Sequence, residues 1–188
     1  MAFFINAAGN TPHHAANGIF DLRYLGKNEA FSVNLNGSWE FYWNKMYHPN
    51  DFKSGNLKPD YYGKVPAYWT DYQGSGVEIS KYGYATYRLT ILLPEGYRVP
   101  LGIDCPVFDS SFDLYINDTY IDGNGVPGKS TEEEVPEYRR VFFRYFPDRD
   151  TITIVINVSN FSHRRGGFWL PLKIGTFNET QGYLANSW

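Results

Sequence analysis

The chain has 188 residues, a formal net charge of -3 from 17 basic and 20 acidic side chains, and an aromatic content of 19%. This length fits one domain, and the charge balance leaves no basic stripe for nucleic acid. The single Cys105 excludes an internal disulfide and a cysteine zinc cluster, and no apolar run reaches the about 20 residues that cross a bilayer as a helix.

In chain order, Met1-Ala2-Phe3-Phe4-Ile5-Asn6-Ala7-Ala8-Gly9 reads as the start of a flexible leader or signal-peptide remnant, taken as residues 1–16. A β domain follows over 17–177. Phe31, Val33 and Leu35 alternate with polar residues, and so do Trp39, Phe41 and Trp43. Such a period of two marks strands with one apolar face. Residues 47–58 hold one short helix, capped by Asn50. Residues 53–82 are rich in Tyr, Gly and Ser and read as a long loop. Tyr87, Leu89 and Ile91 resume the alternation, followed by Phe112, Leu114 and Ile116. Val141 to Phe146 is apolar on both parities, as in a strand covered on both faces. Ile152, Ile154, Ile156 and Val158 alternate again, and Phe168, Leu170, Leu172 and Ile174 complete the set. Turn chemistry separates these runs at Asn36-Gly37, Pro94-Glu95-Gly96, Asp122-Gly123-Asn124-Gly125 and Pro147-Asp148-Arg149-Asp150. The count is about seven or eight strands, and two facing antiparallel sheets are the natural way to bury them. The fold class is therefore all-β, an antiparallel β-sandwich. Residues 178–188 read as a tail.

Catalytic signatures are missing from this sequence. It has no G-x-S-x-G elbow, H-E-x-x-H pair, phosphate loop or dinucleotide fingerprint. Cys105 has neither a local histidine nor a cationic setting, so it reads as an inert core thiol. A glycosidase needs two convergent carboxylates, and Glu40 and Glu78 are candidates in name only; Glu40 reads as a solvent-facing alternate of its strand. His13 and His14 fall in the leader. Glu132-Glu133-Glu134 reads as a solvated loop. Five N-x-[ST] triplets, at Asn36, Asn117, Asn157, Asn160 and Asn178, do not establish glycosylation in a chain so rich in Asn. Binding is better supported than catalysis. Loop aromatics stack on sugars or other planar ligands, and Arg pairs with carboxylate or phosphate. The ligand-binding candidates are Trp69, Tyr72, His163, Arg164 and Trp169. They meet only if the 65–80 and 160–170 loops share one end of the sandwich. Trp69 has a second reading, as a cap on the sandwich core.

Several segments resemble one family in the right order: Asn17-Gly18-Ile19-Phe20-Asp21-Leu22-Arg23, Leu35 to Trp43 (LNGSWEFYW), Val65-Pro66-Ala67-Tyr68-Trp69, Gly83 to Leu89 (GYATYRL), Tyr115-Ile116-Asn117, the acidic loop Gly128 to Pro136, and Ser159 to Trp169 with Ile174-Gly175. Together they cover about residues 17–176. They resemble the extracellular type 2 sensor domain of bacterial seven-transmembrane receptors with diverse intracellular signalling modules. Asn117-Asp118 departs from the family's Asn-Gly at that turn, and residues 72–80 look like a modest insertion.

The resemblance implies a jelly roll of the galactose-binding-like type, like the sugar-binding domains of β-galactosidases. It places the domain on the periplasmic or extracellular side of the cytoplasmic membrane, in a full-length protein embedded in that membrane. It supplies no agreed ligand and no catalytic residue. The expected partner is a small-molecule ligand, for which carbohydrate is one candidate class, and a receptor dimer is one candidate assembly. Nucleic acid is not expected. Many domains of that type carry a structural calcium ion, but no Asp-rich loop here argues for one, and no cofactor is expected. Two alternatives stand beside the sensor: a carbohydrate-binding module of a secreted glycosidase, and a protein–protein interaction module.

Overall fold

The computed structural model describes residues 14–72, 74, 76–107 and 110–185; the expected leader up to residue 13 and the tail at 186–188 lie outside these described residues. The strands are β1 (Ile19–Asp21), β2 (Ser32–Asn34), β3 (Gly37–Trp43), β4 (Tyr61–Val65), β5 (Gly83–Leu92), β6 (Leu101–Cys105), β7 (Ser111–Ile116), β8 (Thr119–Asn124), β9 (Val141–Tyr145), β10 (Thr151–Asn160) and β11 (Lys173–Thr176), and a helix α1 (Phe177–Ala185) follows. The larger sheet runs β4-β3-β5-β10-β7-β8, and the smaller runs β2-β11-β6-β9. The pairings are antiparallel except for β1, which lies parallel to β5. The protein is the all-β antiparallel sandwich that its alternation predicts.

The centre of the larger sheet shows why. β5 and β10 pair along their full length, from Gly83 opposite Asn160 to Leu92 opposite Thr151. Their period of two sends Ala85, Tyr87, Leu89 and Ile91 inward, with Ile152, Ile154, Ile156 and Val158 beside them, all fully buried. From the smaller sheet, Leu101, Ile103, Cys105 and Ile174 join the same core cluster. The far side of β5 is divided. β3 pairs with Ala85–Arg88, and β1 takes over at Thr90–Leu92. Ala15 is drawn in as well: its N–H donates to the Asn36 carbonyl at 2.6 Å, so the fold begins within the stretch expected to be leader.

Several local expectations are corrected. Asp122-Gly123-Asn124 is not a turn but the end of β8. Arg139 explains the difference. Its guanidinium pairs with the Asp122 carboxylate and donates to the Gly123 carbonyl, and its N–H donates to Asn124 Oδ1 at 2.7 Å. The 137–139 segment therefore covers this sheet edge, which would otherwise be open to pairing with another chain. The tight turn between β7 and β8 is Asn117-Asp118, with Asn117 at φ 52°. β9 is the edge of the smaller sheet and is covered on both faces only in part: Val141 is buried and Phe142 meets Phe177 of α1 at 5.9 Å, but Arg144 and, just beyond the strand, Phe146 are exposed. The short helix near 47–58 is a 3-10 turn over Pro49–Ser54 that begins after His48, not at an Asn50 cap. The His48 N–H donates to the Asp51 carboxylate at 2.8 Å, and the turn ends at Gly55, φ 67°. Helix α1 occupies part of the sequence read as tail, and Thr180 packs it against Gly102 of β6.

Candidate functional site

The edge strand β4 carries the largest hollow described. Tyr61, Tyr62, Lys64 and Tyr72 line it with Asp71 and Asn36, and its volume is about 810 Å³. A second hollow of about 380 Å³ adjoins it and shares Lys64, Pro66, Asp71 and Tyr72. Ala67, Tyr68 and Trp169 form the remaining wall of that second hollow. Together the two make one aromatic cleft along the 61–72 segment.

Local sequence builds this cleft. Tyr72 ends the 3-10 turn Trp69–Asp71 and folds back across β4. It crosses over Gly63, where any Cβ would meet its ring, so β4 carries glycine at that point. The Tyr72 hydroxyl donates to the Lys64 carbonyl at 2.8 Å and lies 3.2 Å from the Tyr87 hydroxyl. Burial raises the pKa of Tyr72 well above the usual tyrosine value, with the neighbouring Tyr87 hydroxyl as the next cause. Both hydroxyls therefore stay protonated and keep the floor uncharged. The Tyr72 ring meets Phe41 edge-on at 5.0 Å and Tyr61 at 5.6 Å.

The two loops named from the sequence do meet. The Ala67 N–H donates to the Phe168 carbonyl at 3.0 Å, and the Trp69 N–H donates to the Gly166 carbonyl at 3.2 Å. Of the five residues expected to bind ligand, Tyr72 and Trp169 come together at the cleft. Trp69 lies beneath it, fully buried and edge-on to Trp43 at 5.1 Å, as its second reading anticipated. His163 stands elsewhere, with its ring against Tyr138 at 5.6 Å. Arg164 is exposed and lines neither hollow. Its neighbour Arg165 reaches the cleft wall instead. The Arg165 guanidinium lies 4.8 Å over the Tyr68 ring and donates to the Tyr68 hydroxyl at 2.7 Å.

The sequence reading missed Tyr61, Tyr62, Lys64 and Asp71. The signal was present in Tyr61-Tyr62-Gly63-Lys64-Val65, where Val65 points inward and Tyr62 and Lys64 point out, but the surrounding Gly and Ser masked a strand of five residues.

A second feature holds the site from behind. Glu134 is buried, although its triplet read as a solvated loop; only Glu132 and Glu133 are exposed. Its carboxylate accepts from Ser159 Oγ at 2.8 Å, from the Phe161 N–H at 2.9 Å and from Ser162 Oγ at 2.9 Å. Three donors compensate the burial of one negative charge. Asn160 completes the clamp, donating to the His163 carbonyl and accepting from the His163 N–H. The 160–167 loop that delivers Arg165 is thus fastened at its base.

None of these arrangements resembles a catalytic centre. Glu40 is held on the outer face of the larger sheet by Arg88, at 2.9 Å, and by the Tyr42 hydroxyl, at 2.7 Å. Glu78 is exposed. Among the described residues no three His, Cys, Asp or Glu side chains gather as a metal site. Cys105 is fully buried, and burial, with the Asp104 carboxylate beside it, raises its thiol pKa well above the usual value. A thiol-specific chromogenic reagent is therefore expected to leave Cys105 unmodified in the native protein and to titrate one thiol after unfolding. Rapid labelling without denaturant would contradict the buried placement.

No family model matches the chain, and no curated protein matches it in sequence. Solved structures do. A GH2 β-galacturonidase from Eisenbergiella tayi bound to galacturonate is similar with a TM-score of 0.52 at 10% identity, over 82% of this chain and 26% of that one. A β-glucuronidase from Ruminococcus gnavus in complex with uronic isofagomine gives 0.55 at 12%, over 85% and 30%. β-Glucuronidase 2 from Bacteroides uniformis gives 0.55 at 17%, over 78% and 18%. At these identities the likeness is one of fold, a β-sandwich. The chain spans about a quarter of the length of the first of these enzymes.

Proposed function

We propose that this chain is a non-catalytic ligand-binding module whose aromatic cleft takes a carbohydrate, and that it serves as the extracytoplasmic sensor of a bacterial membrane signalling receptor. The observation that carries the binding reading is the cleft itself. Tyr61, Tyr62 and Trp169 supply flat apolar surface, and Lys64, Asp71 and Asn36 supply charged and amide groups around it. Aromatic faces bordered by a few fixed polar groups suit a sugar ring, which has apolar faces and hydroxyl edges. The sandwich fold shared with parts of glycosidases supports a sugar over other planar ligands. The resemblance in sequence motifs supports the receptor, with the domain outside the cytoplasmic membrane.

The test is a melting-temperature screen of neutral hexoses and hexuronates, followed by titration calorimetry. Hexuronates belong in it because Lys64 offers a cation. A binding sugar is expected to raise the melting temperature by about 3 °C near saturation. Tyr62 is 42% exposed, so Tyr62→Ala should leave the fold intact and weaken binding at least about tenfold. If no sugar shifts the transition, or if the variant binds as well as the parent, the cleft is not a sugar site.

A second reading, a module of a secreted glycosidase, is favoured by the similar structures named above being glycosidases. The two differ in what the gene encodes beyond Trp188. The receptor requires about seven apolar spans there, and the glycosidase requires a catalytic domain.

A further inference from the structure

The outer face of the larger sheet carries a separate hollow of about 180 Å³ beside the Pro49–Ser54 turn. Three segments distant in sequence bring cations to it: Lys53 from the turn, Arg88 from β5 and Arg149 from the connection before β10. Asp118 is the one acid in its wall. Each of the three cations also faces a carboxylate: Lys53 faces Asp118, Arg88 faces Glu40 and Arg149 faces Asp148.

The three cations are held differently. Arg88 is fixed. Its Nη1 donates to both Glu40 oxygens at 2.9 Å, and its guanidinium lies 4.9 Å over the Phe52 ring. Its Nε is buried without an acceptor, so contact with a bound group falls to the rest of the guanidinium. Lys53 and Arg149 are loose. Lys53 lies 3.4 Å from Asp118, and all four side chains of the Lys53–Asp118 and Arg149–Asp148 pairs are more than half exposed. Exposed pairs of this kind contribute little and exchange readily.

We infer that this hollow binds a small oxyanion, a phosphate, sulfate or carboxylate group, with Arg88 as the fixed cation and Lys53 and Arg149 turning from their surface acids to close on it. The volume falls below the several hundred Å³ typical of sites for larger organic ligands, so it fits one anionic group with few attached atoms. Once turned from Asp118 and Asp148, Lys53 and Arg149 supply two positive charges at the hollow, and charge-assisted hydrogen bonds to an oxyanion are stronger than those between neutral groups.

The experiment compares melting temperatures in about 20 mM phosphate, sulfate or acetate with chloride at equal ionic strength, for the parent chain and the double variant Lys53→Gln with Arg149→Gln. At least one of the three anions is expected to raise the parent by about 3 °C over chloride, with the increment lost in the variant. The arms separate tetrahedral oxyanions from carboxylates. Amide resonances of Lys53, Asp118 and Thr153 should move in the same titration. Equal increments in parent and variant, or none above chloride, would overturn the proposal. Both substituted residues are exposed and lie outside the aromatic cleft, so sugar binding there is expected to survive the double variant, and each site can fail without the other.

Discussion

Replacing Trp69 with alanine is expected to cost about 4 kcal/mol of folding stability and to lower the melting temperature by roughly 12 °C. The side chain is fully buried, sits edge-on to Trp43 at 5.1 Å, and lies against Gly166. Its removal leaves a large cavity where the two cleft loops join, and the interior can close it only in part. Trp69→Phe should cost less than half as much. The Trp69 Nε1 has no hydrogen-bond partner, so phenylalanine forfeits no bond and loses only contact area. Gly166→Ala probes the same contact from the other side. A Cβ there would overlap Trp69 Cζ2 and Cε2, and an overpacked contact of this kind costs about 2 kcal/mol or more. Urea unfolding of the three variants measures all of this. A Trp69→Ala protein within 1 kcal/mol of the parent would show that the tryptophan is not part of the core.

How much of this the sequence disclosed depends on the element. β5, β7 and β10 send alternate apolar residues to the opposite sheet, so their period and inward residues were readable, although Val155 of β10 is apolar and buried on the other face. β6 was not. All five residues of Leu-Gly-Ile-Asp-Cys are buried, since the opposite sheet covers one face and Thr180 of α1 lies against Gly102 on the other. A short segment covered on both sides has no period to detect. β8 was misread for a different reason. Asp122, Gly123 and Asn124 have the composition of a turn, but Arg139 and the Glu137 carbonyl satisfy their polar groups from a distant segment. At the cleft, loop aromatics pointed to Tyr72 and Trp169. The choice of Arg165 over Arg164, or of Glu134 over Glu132 and Glu133, lies between adjacent identical residues. Only the direction in which each side chain leaves the backbone decides it, and that direction is set by tertiary packing.

Glu134 gives the second large effect. Glu134→Ala is expected to destabilise the protein by about 3 kcal/mol, measured as a shift of the urea midpoint with an unchanged slope. Glu134 is 7% exposed, and its carboxylate accepts three hydrogen bonds from β10 and the loop after it. Deleting it removes charge-assisted bonds and strands the Ser159 hydroxyl, in a fully buried residue, and the Phe161 N–H without their acceptor. Glu134→Gln keeps one acceptor oxygen but turns an amide donor towards groups that themselves donate, so it should recover only part of the loss. A surface carboxylate makes a useful contrast: Glu133→Ala, one position earlier and exposed, loses only an exposed bond from the Lys129 N–H and should cost about 1 kcal/mol or less. The effect also reaches the cleft. Glu134 fixes Phe161 and Ser162, the same loop carries Arg165, and Arg165 braces Tyr68 beside Trp169. Amide hydrogen exchange in Glu134→Ala should therefore quicken at 160–167 as well as at 126–137, while the centre of β5 and β10 stays protected. Exchange that quickens uniformly across both sheets would mean that Glu134 stabilises the fold as a whole and does not specifically fasten this loop.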